Sequence, residues 1–441
     1  MTRNVEGRDT KHSSILEQFV GQVLSHVKAK QMHSEIQAEL LDHLLNETES
    51  GMDYGMDEAA SEKQAVRNMG DPSVVAAQFN QVHRPKAPWK LWISVLVWIA
   101  ICVVGLFAVQ AGNPQDLYRL STEGYAWRLV PGGVAFLFAF WVGYQKLQKG
   151  AVWLYSLTLL LSILTIFLSL SINGQSFLSI GTISINMLYI SPFLVLIALY
   201  SMSGDKFVKM HRPTLFLALL SPPIIIYLAD GRLLQLCTYL CGVLVVGKLA
   251  GWKWGYVKWA ACGIIIAGGL CYGFIERLRL LVHIRIGNWL HTLNGSADIS
   301  YLQNIVQQIL REAGWFGHGI GELASLPNVA SDNLSIAIIH MFGWVGGLIM
   351  LIALTIIITT MFRQARLFRD PYAKGLGILI SSMMAVHSLL YIGGIIGIVP
   401  INGAGLPMLG SGGSEILLWM MLLGLYSSAH WNKDMIPVLK Q

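Results

Sequence analysis

Three arginines, Arg277, Arg279 and Arg285, crowd into one connection of a chain otherwise sparing with charge. A guanidinium grips phosphate oxygens through two parallel donors, which makes arginine the residue type suited to a diphosphate. Further along the same connection, Ile299, Leu302, Ile305, Val306, Ile309 and Leu310 recur on one face at helical spacing. A helix of that kind lies flat at a membrane surface. Together these features suit a lipid substrate with an anionic head group; arginines that snorkel to bilayer phosphates in general leave the same pattern. The connection closes on Ser331-Asp332-Asn333-Leu334, ahead of a long apolar block. Taken alone, Asp332 reads as the cap of the helix that follows, a place where Asp is favoured. Cysteine chemistry is absent from this reading. Cys102, Cys237, Cys241, Cys262 and Cys271 all fall inside apolar blocks, with neither a disulfide framework nor a paired CxxC metal site. Cys237 and Cys241 share a helix face, where cysteine behaves as a small hydrophobe.

The elements that must position these groups are membrane helices. Of the 441 residues 54% are hydrophobic and 13% charged, with a mean hydropathy of +0.55. The apolar residues come in unbroken blocks long enough to cross a bilayer. Expected spans are about 91–110, 129–146, 151–171, 184–202, 214–229, 233–249, 257–275, 333–360, 375–398 and 413–430. The fold class is therefore all-α: a polytopic membrane protein of about ten transmembrane helices with a small soluble N-terminal helical domain. The net charge of +6 reflects topology rather than a nucleic-acid partner, because Lys and Arg are dispersed over short loops without a basic, aromatic-studded face. Lys146 and Lys149; Lys206, Lys209 and Arg212; Lys248, Lys253 and Lys258; and Arg363, Arg366, Arg369 and Lys374 all land on one side. The positive-inside rule makes that side, and with it both termini, cytoplasmic. The long connection at about 276–332 then faces outward, and an ordered connection of that length is more often functional than decorative.

Residues 1–89 form the soluble domain and residues 90–441 the membrane domain. The first 89 residues lack the apolar core of a secretory signal, so the block near Leu91 is expected to act as an uncleaved anchor. Ile15, Phe19, Val20, Val23 and Val27 mark one helix; Ile36, Leu40, Leu41, Leu44 and Leu45 mark a second. Asp57-Glu58-Ala59-Ala60 opens a third that stops at Gly70, and Asp71-Pro72-Ser73 opens a fourth with Pro just inside the helix. Glu39, Asp42, His43, Gly55, Glu58, Ala59, Gly70, Asp71 and Pro72 resemble the helical permease prefix domain found ahead of some membrane proteins of Gram-positive bacteria. That resemblance implies an interaction or sensing module and a Gram-positive source.

The stretch Gly314-Trp315-Phe316-Gly317-His318-Gly319-Ile320-Gly321, then Leu326-Pro327, Ser331-Asp332-Asn333-Leu334 and Gly343-Trp344-Val345-Gly346-Gly347, is more specific. It resembles the SEDS family (shape, elongation, division and sporulation; FtsW/RodA/SpoVE-like), whose pattern there runs GGLFGxGLG, Leu-Pro, TDFIFA and EELGFxGG. The spacing matches without gaps from Gly314 to Gly347. A second block, Gly397-Ile398-Val399-Pro400-Ile401-Asn402-Gly403, Leu406-Pro407 and Gly412-Gly413-Ser414, resembles the family's GVLPVTGxPLPFxSYGGSS. Arg285, Trp289 and Tyr301 give a weaker third match.

The resemblance implies a peptidoglycan glycosyltransferase that polymerises lipid II, the undecaprenyl-diphosphate-linked precursor, at the outer face of the cell membrane during division, shape maintenance or sporulation. Asp332 takes the place of the acid in TDF and is the implied catalytic base. Arg277, Arg279, Arg285, Trp289, Ser331, Gly412, Gly413 and Ser414 are the implied substrate contacts, with a Mg2+ or Mn2+ ion as an optional aid to the leaving diphosphate. The implied partner is a class B penicillin-binding transpeptidase.

The chain departs from the family where polar residues are concerned. Asn186-Met187-Leu188-Tyr189 and Pro192 stand where the family has QPSE-x-x-K, His340 and Met341 replace the paired acids of EELGF, and Ala324 replaces a loop glutamate. Asp230-Gly231 is what remains of PDLGT, and Gly405, Gly410 and Ser411 replace Pro, Ser and Tyr. His340 is expected to be satisfied by a neighbouring carbonyl and His318 to sit at the surface, while Glu415 is a non-family acid inside a span. These losses leave two further readings open, a non-catalytic scaffold or sensor and a transporter of lipid-linked precursor; no internal repeat supports the latter.

Overall fold

The computed structural model describes residues 14–28, 33–82, 86–112, 116–168, 170–172, 175–180, 183–203, 213–252, 301–320, 326, 329–399 and 405–433, with isolated positions between 255 and 287. It divides into two compact units, 1–86 with 432–441, and 87–431.

The first unit holds α1 (Ser14–His26), α2 (His33–Asp53), α3 (Glu58–Met69) and α4 (Pro72–Val82). Leu16, Phe19, Val20, Val23 and Val27 of α1 and its end bury against Ile36, Leu40 and Leu44 of α2, Ala65 of α3 and Ala76 of α4. Their three- and four-residue spacing is what gathers them on one face. Asn80 ties α4 to the end of α1, accepting from Lys28 N at 2.8 Å and donating to His26 O at 2.9 Å. Asp71 accepts both the backbone N–H and the hydroxyl of Ser73, and these bonds hold its carboxyl below the usual range.

The second unit is a bundle of apolar helices: α5 (Trp89–Gly112), α6 (Asp116–Lys149), α7 (Ala151–Leu168), α8 (Met187–Ser203), α9 (Pro213–Ala229), α10 (Leu233–Leu249), α11 (Tyr301–Glu312), α12 (Leu334–Ala365), α13 (Pro371–Ile395) and α14 (Gly413–Trp431). Five of them, α5, α6 from Glu123, α7, α12 and α13, are long and apolar enough to cross a membrane, and α8, α10 and the Leu219–Ala229 part of α9 are shorter apolar helices. Every expected span except 257–275, which lies almost wholly outside the described residues, coincides with one of these helices. The chain is a multi-pass membrane protein.

Small residues let the helices approach. Gly424 of α14 lies against the backbone of Phe136 in α6, and Gly132 of α6 against Ile416 and Met420. The expected surface helix is α11, whose Val306 and Ile309 are buried while Gln308 and Glu312 bond to each other on its exposed side.

Between α7 and α8 stands an antiparallel sheet in the order β1 (Leu170–Ile172), β2 (Gln175–Ile180) and β3 (Ile183–Ile185). Its register pairs Leu170 with Phe177 and Leu178 with Ile185. The residue pattern predicts no sheet here, and the reason is length: strands of three to six residues between two apolar helices read as span ends. The sheet is anchored to the turn between α9 and α10. Ser176 Oγ donates to Asp230 Oδ1 at 2.8 Å, and the buried Arg232 bonds Asp230 Oδ2 at 2.8 Å and Ser176 O at 3.3 Å. Asp230 is thus a structural anchor, its charge matched by Arg232.

Candidate active site

The glycine motifs build the frame first. At Gly343 (φ 69°) α12 opens by a turn, and the backbone of 314–319 fits into the gap. Trp344 N and Val345 N donate to the carbonyls of Gly314 and Trp315 at 3.0 and 3.1 Å; His318 N and Gly319 N donate to the freed carbonyls of His340 and Met341 at 3.0 and 3.1 Å. A helix break at membrane depth leaves polar backbone that must find partners, and here the loop supplies them. Gly317 (φ 76°) and Gly343 touch main chain to main chain: a Cβ on either would run into the other's strand. On this clasp His318 stacks over His340, centroids 4.9 Å apart and planes 15° off parallel. His318 is exposed, as expected, but His340 differs from expectation. Its Nδ1 has no hydrogen-bond partner among the described residues, and ring stacking takes the place of the carbonyl contact.

The clasp fixes the start of α12 and the acid before it. The N-cap residue is Asn333, so Asp332 lies one position ahead of the cap and is not held there by capping. Its main chain is fixed instead: Tyr391 Oη of α13 donates to Asp332 O at 3.0 Å and accepts from Ser335 Oγ at 2.6 Å. The half-buried carboxyl of Asp332 takes a hydrogen bond from the Ser331 hydroxyl, yet burial outweighs that bond and pushes the group up to about 6. A carboxylate titrating there is mostly ionised at neutral pH and still basic enough to take a proton in a transition state.

The 405–412 loop closes over this acid. Ser411 N donates to Ala330 O at 2.8 Å, and Gly410 (φ 128°) lies so close to Ser331 that a Cβ would strike its carbonyl. Trp98 Nε1 of α5 donates to Pro407 O at 2.7 Å, and Gly410 N donates to the sulfur of Cys102 at 3.3 Å. Arg128 of α6 donates to Ser411 O and lays its methylenes on Gly413. Where α14 begins, Ser414 Oγ accepts from Asn186 N at 2.8 Å. The structure therefore brings Ser331 and Asp332 together with the loop running into Gly412, Gly413 and Ser414. It does not bring Arg279 to them: that guanidinium donates to Gly273 O in its own segment at 2.8 Å. Arg277, Arg285 and Trp289 lie outside the described residues. Among the described residues no three His, Cys, Asp or Glu side chains converge as a metal cage would require.

Several residues at the site escape sequence reasoning. Arg128 of α6, Tyr189 of α8, and His387 and Tyr391 of α13 face it, where they join Glu415 of α14, which the sequence already marks as an acid inside a span. Polar or ionisable residues inside apolar spans are the one signal that could have found them.

The chain matches the family model of cell cycle proteins of the FtsW, RodA and SpoVE type over residues 84–434. It is 26% identical over 358 residues to the probable peptidoglycan glycosyltransferase FtsW of Bacillus subtilis, covering 75% of this chain and 88% of that one. In structure it is similar to a chain of a peptidoglycan synthase complex in which polymerization and crosslinking are coordinated (TM-score 0.61, 20% identity, 78% of this chain and 98% of the other). It is also similar to the rod shape determining protein RodA of Thermus thermophilus (TM-score 0.56, 19% identity, 78% and 97%).

Proposed function

The chain belongs to the FtsW/RodA/SpoVE family of cell cycle proteins, and we propose that it is a peptidoglycan glycosyltransferase polymerising lipid II with Asp332 as its base. The observation that carries the assignment of the base is the setting of Asp332. It is locked through its main chain by Tyr391, roofed by the glycine loop and held near pH 6 by burial. In the reaction the 4-hydroxyl of the acceptor sugar attacks the anomeric carbon of the donor. The bond from that carbon to the diphosphate oxygen breaks, polyprenyl diphosphate leaves, and the hydroxyl proton passes to Asp332. One displacement inverts the carbon and needs only one base. We assign the departing diphosphate to Arg277 and Arg285 with Trp289 on the family resemblance alone, Arg279 being engaged with Gly273 O, and the sugar side to Ser331 with Gly412, Gly413 and Ser414.

Loop charge favours an inward N- and C-terminus, which sets Asp332 at the outer face, where lipid II is presented. The partner is a class B penicillin-binding transpeptidase that crosslinks the new glycan, and the prefix-like N-terminal helices point to a Gram-positive source. A non-catalytic scaffold is the second reading, favoured by Tyr189, Pro192, His340 and Met341 standing at polar family positions. Incubation of purified protein with fluorescent lipid II, beside Asp332→Asn, separates the two. Polymer from the wild type alone supports the enzyme, and intact lipid II under every pairing supports the scaffold.

A further inference from the structure

The glutamate of the family's QPSE segment falls at Tyr189 and the second serine of its GGSS block at Glu415, so an acid is missing from one helix and surplus on another. The two positions are in contact. Tyr189 Oη of α8 donates to Glu415 Oε1 of α14 at 3.2 Å, and both residues are buried, with 7% and 8% exposure. His387 Nε2 of α13 lies 3.2 Å from Tyr189 Oη and donates to Gly405 O at 3.2 Å, so the chain of bonds reaches the loop over the site. The other carboxyl oxygen faces that loop. A Cβ at Gly412 would stand 3.3 Å from Glu415 Oε2, and one at Gly405 would stand 3.5 Å from it and 3.5 Å from Asp332 O. A side chain at Gly412 would crowd this carboxyl oxygen, whereas one at Gly405 would meet it at ordinary contact distance. A buried carboxyl is tolerated where donors and close packing are arranged around it, and those arrangements then make it a fixed point.

We propose that Glu415 is a positioning residue of the transfer site, supplying from α14 the carboxylate that the family motif supplies from α8. Through Tyr189, His387 and Gly405 it sets the 405–412 loop against Asp332. The acid has moved across the site rather than disappeared, and this inference rests on the glycosyltransferase reading. Polymerisation kinetics and thermal melting of the full-length protein test it in Glu415→Ser, Glu415→Gln, Tyr189→Glu and the double variant Tyr189→Glu with Glu415→Ser. Glu415→Ser lowers kcat about tenfold or more while KM stays within about twofold, because what is lost is alignment rather than binding. Glu415→Gln keeps the oxygen that accepts from Tyr189 and loses less. Tyr189→Glu presses two carboxylates together and loses as much as Glu415→Ser. The double variant, again with one carboxylate, returns to within a few-fold of wild type and melts above either single variant. Wild-type turnover in Glu415→Ser, or a double variant no better than its worse parent, overturns the proposal. If the wild type makes no polymer, the glycosyltransferase reading fails by itself, and melting still decides the contact: additive losses in the double variant overturn it.

Discussion

Replacing Asp332 by Asn is predicted to stabilise the protein at neutral pH while removing its activity. An aspartate in water titrates near 3.9, whereas burial holds Asp332 at about 6. Keeping it ionised at pH 7.5 therefore costs the folded state about 3 kcal/mol. The sign follows from the direction of the shift. The folded value lies above the unfolded one, so the protonated carboxyl's contribution is complete below about pH 4 and is lost as pH rises through about 6. The neutral amide of the variant carries no such penalty. The assay is thermal unfolding of both purified proteins from pH 4 to 8. The variant melts higher at pH 7.5, by up to the equivalent of about 3 kcal/mol with the Ser331 bond already counted in the shift, and the two curves converge toward pH 4. Parallel curves, or a wild type that gains on the variant as pH rises, would refute the claim that burial strains this carboxylate.

Three other outcomes follow from the same geometry. The rate of polymerisation falls about tenfold per pH unit below about 6, because the base must be ionised to accept the proton; a pH–rate profile flat from 5 to 8 contradicts that. Gly317→Ala adds a Cβ in a positive-φ position against the main chain of Met341 and Gly343, costing about 3 kcal/mol or more, read as lost folded yield and a lowered melting temperature. Leu44→Ala empties a fully buried position in the N-terminal core, costing that unit about 2–5 kcal/mol, read as protease cleavage within residues 14–82 of the full-length protein.

The membrane architecture was legible because a run of apolar residues long enough to cross a bilayer has few other uses, and α5, α7, α8, α10 and α13 lie where such runs predict them. Amphipathic spacing similarly revealed α11 and the N-terminal helices. What sequence concealed depends on contacts distant in the chain. The glycines of the 314–319 stretch stood out, but only the fold shows that Gly317 exists to meet Gly343. The sheet at 170–185 is held by Asp230 and Arg232, more than forty residues onward, and short strands carry little signal of their own. Asp332 was legible through the spacing of its motif, whereas its neighbours Tyr391, Tyr189 and Glu415 reach it from α13, α8 and α14. Glu415 in particular read as a stray intramembrane acid until Tyr189, 226 positions away, was found against it.

The most direct test of the account is polymerisation of fluorescent lipid II by the full-length protein, alone and with a class B penicillin-binding transpeptidase, beside Asp332→Asn. Glycan chains are expected from the wild type, strengthened by the transpeptidase, and none from the variant although it folds and melts higher. Chains of equal length and yield from Asp332→Asn would remove the base from the mechanism, and unreacted lipid II in every wild-type mixture would contradict the assignment of this chain as a glycosyltransferase.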